Sequence, residues 1–175
     1  MKKIVCITGS LRKDSFNTKL LKKIAEVGAE QASFEIITPG DIPLFNADLE
    51  ANFPASVTEY KQKITDADTV IISTPEYNRS MSGVLKNFID WTSRPYGKSV
   101  WKDKRVLLSS VSTGKISGAV AYYSLVTTLS HLGADIVNPE SAELMFGNAG
   151  DVFDDEKPLP EFAQAAIERG LSFLV

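Results

Sequence analysis

Short runs of apolar residues alternate along the chain with stretches whose apolar residues recur every three or four positions. A run that is apolar at nearly every position predicts a strand covered on both faces, and the longer spacing predicts an amphipathic helix. The candidate strands are residues 4–7, 34–37, 70–72, 106–108 and 135–137. A helical pattern follows each of them, so the sequence predicts a repeated β-α unit.

Each predicted helix has one apolar face. The five faces consist of Phe16, Leu20, Leu21, Ile24 and Val27; of Val57, Tyr60 and Ile64; of Val84, Leu85, Phe88, Ile89 and Trp91; of Val120, Leu125, Leu129 and Leu132; and of Phe162, Ala166, Ile167 and Leu171. Ser56 and Glu59 have the spacing of a capping box, and we expect Gly133 to follow the end of the fourth helix. Residues 38–54 and 146–158 lack either period and predict long loops.

Strands that alternate with helices form a parallel sheet with helices on both faces. Right-handed crossovers favour a doubly wound, three-layer α/β domain, and five strands favour the order 2-1-3-4-5 over the six-stranded dinucleotide-binding arrangement. The length of 175 residues predicts one domain, residues 1–175, without a linker. Because ligands bind beyond the carboxyl ends of such strands, the loops after Thr8, Thr74 and Val111 are the candidate site.

Composition excludes several classes of protein. The net charge is −3, so the chain lacks the basic surface that binds nucleic acid or anionic membranes. No apolar run approaches the ~18 residues of a membrane span or the length of a signal peptide. Cys6 is the only cysteine and is interpreted as a buried apolar residue, which favours a reducing, cytoplasmic location. We expect no metal, and we expect His131 to lie in solvent near a helix end.

The first loop, residues 9–17, has the composition of a phosphate site. Gly9 permits a close backbone approach, and the first turn of the following helix offers unpaired N–H groups. The side-chain donors are the hydroxyls of Ser10 and Ser15, the guanidinium of Arg12 and the amide of Asn17. The pattern is neither GxGxxG nor GxxxxGK[ST], so one phosphate monoester fits better than a dinucleotide or a triphosphate. The alternative is that Ser15 only caps the helix and Arg12 is solvated.

The second loop (residues 74–83) and the third loop (residues 112–118) predict a slot for a planar ring. Pro75 stiffens the exit from the strand, Tyr77 can flank a flat ligand, and the backbone of residues 76–78 can bond its edge. In the third loop, glycines allow backbone N–H groups to face a carbonyl or an anionic ring edge. Ordinary turns are the alternative for both loops. Together, the three loops predict a phosphate pocket beside a flat polar slot, which is the shape that FMN requires.

Two motifs carry a resemblance to a known family. They are Gly-Ser-Leu-Arg-x-x-Ser-x-Asn at residues 9–17 and Pro-Glu-Tyr-Asn-x-Ser-x-x-Gly-x-Leu-Lys-Asn-x-Ile-Asp-Trp at residues 75–91. With these motifs, and with residues 41–45, the chain resembles the NAD(P)H-dependent FMN reductases, which include chromate and quinone reductases and some azoreductases. The resemblance covers nearly the whole chain and is weakest after residue 138. It implies a flavodoxin-like fold, bound FMN, and homodimers or homotetramers.

The resemblance also implies roles for individual residues. Ser10, Arg12, Ser15, Asn17 and the backbone of Phe16 would hold the phosphate; Pro75, Glu76, Tyr77 and Asn78 would line the isoalloxazine; and Ser112, Thr113 and Gly114 would face its pyrimidine edge. Ser82 stands where many relatives carry proline, and we expect it to cap the helix. Phe88 stands where many relatives carry a small residue and is a candidate for altered packing at a subunit contact. Arg79 faces either an incoming nicotinamide dinucleotide or solvent.

The function that follows is a ping-pong oxidoreductase. NAD(P)H would reduce FMN, and a quinone, an azo compound, free flavin or a metal oxyanion such as chromate would then take the electrons from the same side. Hydride chemistry belongs to the cofactor, so no side chain is assigned as a catalytic acid or base. NADH and NADPH both remain open, because only Arg79 and Lys115 resemble a 2′-phosphate site.

Three other classes of protein are alternatives to this function. A flavodoxin-type electron carrier would bind FMN but oxidise NAD(P)H poorly, and a central arginine such as Arg12 argues against it. A receiver domain needs an acidic cluster after the first strand, where this chain has Gly9 and Ser10. A phosphatase needs a nucleophile in the first loop, whereas Cys6 lies inside the strand.

Overall fold

The apolar runs form a parallel sheet in the computed structural model, which describes residues 1–137 and 144–174. The strands are β1 (Lys2–Thr8), β2 (Ala32–Ile37), β3 (Thr69–Thr74), β4 (Arg105–Val111), β5 (Asp135–Ile136) and β6 (Leu144–Phe146). The helices are α1 (Phe16–Val27), α2 (Ala55–Asp66), α3 (Gly83–Thr92), α4 (Ala119–His131), α5 (Ala149–Val152) and α6 (Glu161–Ser172), with a 3-10 turn at Ala47–Leu49. The strand order is β2-β1-β3-β4-β5, so the predicted order is confirmed.

The fifth position of the sheet is divided between two short strands. β5 pairs with the start of β4, at Arg105 and Val106, and β6 pairs with its end, at residues 109–111. The sequence predicted residues 135–137 and missed β6, because a strand of three residues is too short to show a period. Helix α5, with four residues, escaped prediction for the same reason.

Both faces of the sheet are covered by helices. Alternate residues of a strand point to opposite faces. Accordingly, Ile4 and Cys6 pack in one apolar cluster with residues of α1 and α6. Val5 and Ile7 pack in the other, with residues of α2, α3 and α4. This double coverage explains why the central strands are apolar at nearly every position, and it leaves the carboxyl ends of β1, β3 and β4 as an accessible edge.

Three details of the sequence-based helices need correction. Ser56 and Glu59 form no capping box, because α2 already begins at Ala55 and has no side-chain cap. Val120 is 41% exposed, since five positions separate it from Leu125 and turn it about 140° away from that face. Phe162, in the first turn of α6, is 61% exposed and lies outside the buried face.

The ends of the helices agree better with the sequence. Gly133 follows the C-cap of α4 with φ +77°, the left-handed conformation that glycine tolerates. The Ser82 hydroxyl accepts a hydrogen bond from the Leu85 N–H and caps α3 as expected. Phe88 is fully buried and packs edge-on against the rings of Tyr60 and Trp101. It therefore belongs to the core of the protomer rather than to a subunit contact.

Candidate functional site

The three candidate loops meet at the carboxyl ends of β1, β3 and β4, around a cleft of about 130 Å³. Its lining consists of Ser10, Arg12, Ser15, Phe16, Asn17, Pro75, Glu76, Tyr77, Val111, Ser112 and Thr113. The sequence predicts all of these positions except Val111. It also predicts Asn78 and Gly114, which do not line the cleft.

At the start of the first loop, the backbone of Gly9 lies close to the backbone of Ser73 at the end of β3. The Gly9 N–H donates to the Ser73 carbonyl at 2.8 Å. A Cβ at Gly9 would lie 3.2 Å from Leu85 Cδ2, from Pro75 Cδ and from the Ser73 oxygen. Glycine is thus required here for space, and the loop is seated directly on the start of α3.

The first turn of α1 has the groups that an anion cradle would need. Ser15 is its N-cap, and the Ser15 hydroxyl accepts a hydrogen bond from the Thr18 N–H at 3.3 Å. In the described part of the chain, the N–H groups of Phe16 and Asn17 meet no protein acceptor. Such groups at a helix N-terminus attract anions. Ser15 therefore caps the helix, and its buried hydroxyl still borders the cleft.

Arg12 is the positively charged residue that lines this part of the cleft. Its guanidinium carbon lies 5.7 Å from the centre of the Phe16 ring, and the residue is exposed. Within residues 1–137 and 144–174, no acidic side chain pairs with it. A guanidinium that stacks on a ring and lacks an acidic partner is well suited to bind a phosphate.

Asn17 differs from its expected role. Its amide oxygen accepts hydrogen bonds from the Ser73 hydroxyl at 2.8 Å and from the Val111 N–H at 3.1 Å. Its amide nitrogen donates to the Val111 carbonyl at 3.2 Å. The buried side chain therefore joins α1 to β3 and β4, and it lines the cleft while its hydrogen bonds serve the scaffold.

The second loop contains a tight two-residue turn. Tyr77 and Ser80 exchange backbone hydrogen bonds, each 3.1 Å long. The residues between them, Asn78 and Arg79, have φ values of +50° and +63°, as a type I′ turn requires. Asn78 is thus a turn residue, and the ring of Tyr77, which is 53% exposed, forms the open side wall of the cleft.

The side chain of Glu76 has a function that the sequence did not reveal. One carboxylate oxygen accepts hydrogen bonds from the N–H groups of Val120 and Ala121 at 3.0 and 3.3 Å. The other pairs with Arg79 at 3.0 Å. Gly118, the N-cap of α4, has no side chain that could cap the helix. Glu76 caps α4 instead. The exposed guanidinium of Arg79 forms an ion pair with Glu76 and also contacts solvent.

The third loop bonds mainly within itself. The Gly114 N–H donates to the Ser112 hydroxyl at 3.1 Å, so it does not face the cleft as expected. The Ser112 N–H and carbonyl bond to Phe146 and Ala149. A Cβ at Gly147 would lie 2.8 Å from the Gly114 oxygen. Gly147 is therefore a supporting residue that sequence reasoning missed, and its signal in the sequence is a glycine just after three apolar residues.

The donors present fit FMN. Two hydroxyls, free helix N–H groups and an arginine suit a phosphate monoester, and the adjoining slot has a prolyl floor and a tyrosyl wall. Together with the strand order, this arrangement defines the class: a flavodoxin-like protein with an FMN-type site at the sheet edge.

Comparison with known proteins identifies the family. A family model described as NADPH-dependent FMN reductase matches residues 2–151, and the chain belongs to this family. A 2-hydroxy-1,4-benzoquinone reductase from a Burkholderia species is 43% identical over 136 residues, which are 78% of this chain and 74% of that protein. A quinone reductase from Pseudomonas putida is 36% identical over 98% of this chain and 94% of its own length.

A solved structure agrees with these relatives. The flavoenzyme NAD(P)H:(acceptor) oxidoreductase from Paracoccus denitrificans superposes with a TM-score of 0.81 at 34% identity, covering 99% of this chain and 97% of that one. The predictions of the family, the flavodoxin-like fold and an oxidoreductase are thus confirmed. The protein is an NAD(P)H-dependent enzyme of the FMN and quinone reductase type, with FMN as cofactor and NAD(P)H as co-substrate.

Other predictions concern residues away from the cleft. Burial raises the pKa of the Cys6 thiol to about 12, in keeping with its interpretation as an apolar core residue. His131 is exposed at the last position of α4. In the described residues, no helix is both long enough and apolar enough to cross a membrane.

Proposed function

We propose that this protein transfers electrons from NAD(P)H to small quinones, and that azo compounds, free flavin and chromate are further acceptors. Bound FMN would supply the chemistry of hydride acceptance from NAD(P)H and of electron transfer to the acceptor. The observation that carries the proposal is one continuous cleft, with an anion cradle at α1 and an open wall at Tyr77. The names of the relatives support quinones as the principal acceptors.

The roles of the site residues follow from their surroundings. Ser10, Arg12, Ser15 and the N–H of Phe16 bind the phosphate, since all four residues border the cleft and the Phe16 N–H has no protein acceptor among the described residues. The backbone of Pro75, Glu76 and Tyr77 holds one side of the ring. Ser112 and Thr113 face its pyrimidine edge. Asn17 and the turn residue Asn78 position these groups, and Gly114 gives the third loop its shape.

For the kinetic scheme we propose a ping-pong order, in which both substrates use the exposed side of the cleft at Tyr77. NAD(P)H and the acceptor would both enter past Tyr77, so neither can bind while the other is present. Steady-state rates measured at several acceptor concentrations should therefore give parallel double-reciprocal lines. Intersecting lines would show that both substrates bind together and would contradict the ping-pong order.

We further propose that residues 1–175 form one FMN-binding domain that assembles as a homodimer or homotetramer. Three exposed apolar side chains, Ile116 in the third loop and Val120 and Tyr123 in α4, support an interface with a second copy. Size-exclusion chromatography with light scattering would give the mass of the assembly. A monomer at micromolar concentration would contradict this part of the proposal.

The first test is a visible spectrum of the purified protein, followed by anaerobic addition of NADPH or NADH. Flavin bands that bleach rapidly support the reductase, and the faster donor identifies the preferred nucleotide. Bands that persist would indicate an electron-carrier module. A colourless protein that takes up no added FMN would overturn the assignment of the cleft.

The phosphate site is tested by Arg12→Ala. A hydrogen bond to a charged group contributes roughly 1.5–3 kcal/mol, so we expect FMN to bind about tenfold to a hundredfold more weakly. Lys13→Ala is the matched control, because Lys13 is the neighbouring exposed cation and does not line the cleft. Equal FMN affinities for the two variants would remove Arg12 from the phosphate site.

A further inference from the structure

Ser82 connects two loops that are far apart in sequence. It is the N-cap of α3 and only 1% exposed. Its hydroxyl donates to the Gly9 carbonyl at 2.5 Å and accepts from the Leu85 N–H at 3.3 Å. The buried Ser82 side chain therefore caps α3, which follows the second loop. Its hydroxyl hydrogen also bonds Gly9, the first residue of the first loop.

The Gly9 carbonyl belongs to the peptide that leads into the phosphate cradle. In a planar trans peptide, the C=O and the following N–H point in opposite directions. With the carbonyl directed to Ser82, the Ser10 N–H is directed to the Thr8 hydroxyl, 3.4 Å away. The Ser10 hydroxyl then accepts a hydrogen bond from the Arg12 N–H at 3.3 Å. The orientation of this one peptide thus determines the backbone positions of Ser10 and Arg12.

The chain of contacts continues to the start of α1. The Thr8 hydroxyl lies 3.0 Å from the Thr18 hydroxyl, and the Thr18 N–H bonds the Ser15 hydroxyl. Thr8, Ser10 and Ser15 are all buried. A buried carbonyl that loses its donor carries a large penalty, so the peptide would turn rather than remain unpaired. Removal of the Ser82 hydroxyl by substitution would therefore disturb the whole first loop and the start of α1.

We propose that Ser82 is a positioning residue for the phosphate of FMN, although it lies on the loop that holds the ring. This inference rests on the phosphate site proposed above. Through the Gly9 carbonyl, the hydroxyl fixes the peptide that places Ser10 and Arg12. Proline, which the resemblance leads one to expect at this position, has no donor, so the connection is a property of this chain.

The variant of choice is Ser82→Pro. Ser82 has φ −64°, the value that a proline ring imposes, and within the described residues its N–H donates no hydrogen bond. The substitution thus removes the hydroxyl without straining the backbone at this residue. Ser82→Ala removes the same donor by another route, and Ser82→Thr restores it. Ser80→Ala is the matched control, because the Ser80 hydroxyl faces Ser124 and not the first loop.

The measurement compares FMN with riboflavin, which has the same ring and lacks the phosphate. Quenching of flavin fluorescence on titration of the full chain gives both dissociation constants, and thermal unfolding is followed in parallel. For Ser82→Pro and Ser82→Ala we expect FMN to bind roughly tenfold more weakly, with riboflavin changed by less than about twofold. Ser82→Thr and Ser80→Ala should keep the preference of the wild-type protein for FMN.

Three outcomes would overturn the inference. If FMN and riboflavin weaken equally, or if only the melting temperature falls, Ser82 supports the fold and does not position the phosphate. If Arg12→Ala abolishes the preference for FMN and Ser82→Pro retains it, the phosphate site stands and the role of Ser82 fails. If the wild-type protein binds both flavins equally and Arg12→Ala changes nothing, the phosphate site itself is wrong, and the inference falls with it.

Discussion

The first and third loops border the same cleft but are held in different ways. The first loop is braced from outside: Gly9 is bonded to Ser73 and Ser82, and Asn17 is bonded to Val111 across the sheet. The third loop is held largely by its own groups and by the segment at Phe146–Ala149, and its residues 113–116 are exposed. The first-loop end of the cleft is thus part of the scaffold, while the third-loop end lies on the surface.

The positions of the two loops in the sheet account for this difference. The first loop follows β1, which has β2 and β3 on its two sides, and it meets α3 directly. The third loop follows β4, whose outer neighbour at this level is the three-residue β6. A loop at a central strand has more partners for its backbone, so it can hold a charged group in one fixed geometry.

The largest expected effect is that of Asn17→Ala. The change leaves the Val111 N–H and carbonyl and the Ser73 hydroxyl without their partner in a buried place. We expect the free energy of unfolding to fall by about 2–4 kcal/mol, measured by urea denaturation. Thr113→Ala, on the exposed third loop, should change it by less than about 0.5 kcal/mol. Similar losses in the two variants would contradict the contrast between the loops.

A pair of glycine substitutions sharpens the same comparison. At Gly9, a Cβ would meet three atoms at 3.2 Å, two of them in side chains of other elements. We expect Gly9→Ala to lower stability by about 1–3 kcal/mol through overpacking. At Gly114, a Cβ would have only the Ser112 hydroxyl near it, at 3.6 Å. Gly114→Ala should therefore be neutral or slightly stabilising; a loss above about 1 kcal/mol would show that this loop is as constrained as the first.

Glu76→Ala examines the second loop, which lies between these extremes. The carboxylate caps α4, and the loss of a helix cap costs about 0.5–2 kcal/mol. We expect a decrease of about 1 kcal/mol in the free energy of unfolding. Arg79→Ala removes only the exposed ion pair with Glu76 and should cost less than about 0.5 kcal/mol. If the two variants were equally destabilised, the ion pair and not the cap would be the important contact.

The smallest effect is expected outside the cleft, at Tyr60. Burial and a 2.7 Å hydrogen bond to Asp41 raise the pKa of Tyr60 to about 12, from about 10 in an unfolded chain. The folded state thus favours the neutral phenol, and this stabilisation is complete below pH 10 and is lost as the pH rises through 12. We expect Tyr60→Phe to melt slightly lower than the wild-type protein at pH 8, with the difference shrinking between pH 10 and pH 12. A constant difference would exclude the phenol as its cause.

The sequence by itself determined the architecture. Strands buried on both faces must be apolar and helices covered on one face must be periodic, so the β-α repeat and the order 2-1-3-4-5 could be derived from local patterns. The positions of the loops at the carboxyl edge followed from that order. Gly9, Ser10 and Arg12 could be predicted because their requirements are local: a close turn, a hydroxyl and a charge beside a helix N-terminus.

The tertiary structure alone decided which partners the polar groups find. Asn17 bonds Val111 from 94 positions away, Glu76 caps a helix that begins 44 positions later, and Ser82 holds Gly9 across 73 positions. Gly147 supports the third loop because β6 lies beside β4. A local pattern records which face of an element is buried, but a hydrogen bond depends on which elements become neighbours, and that is determined only when the whole sheet is assembled.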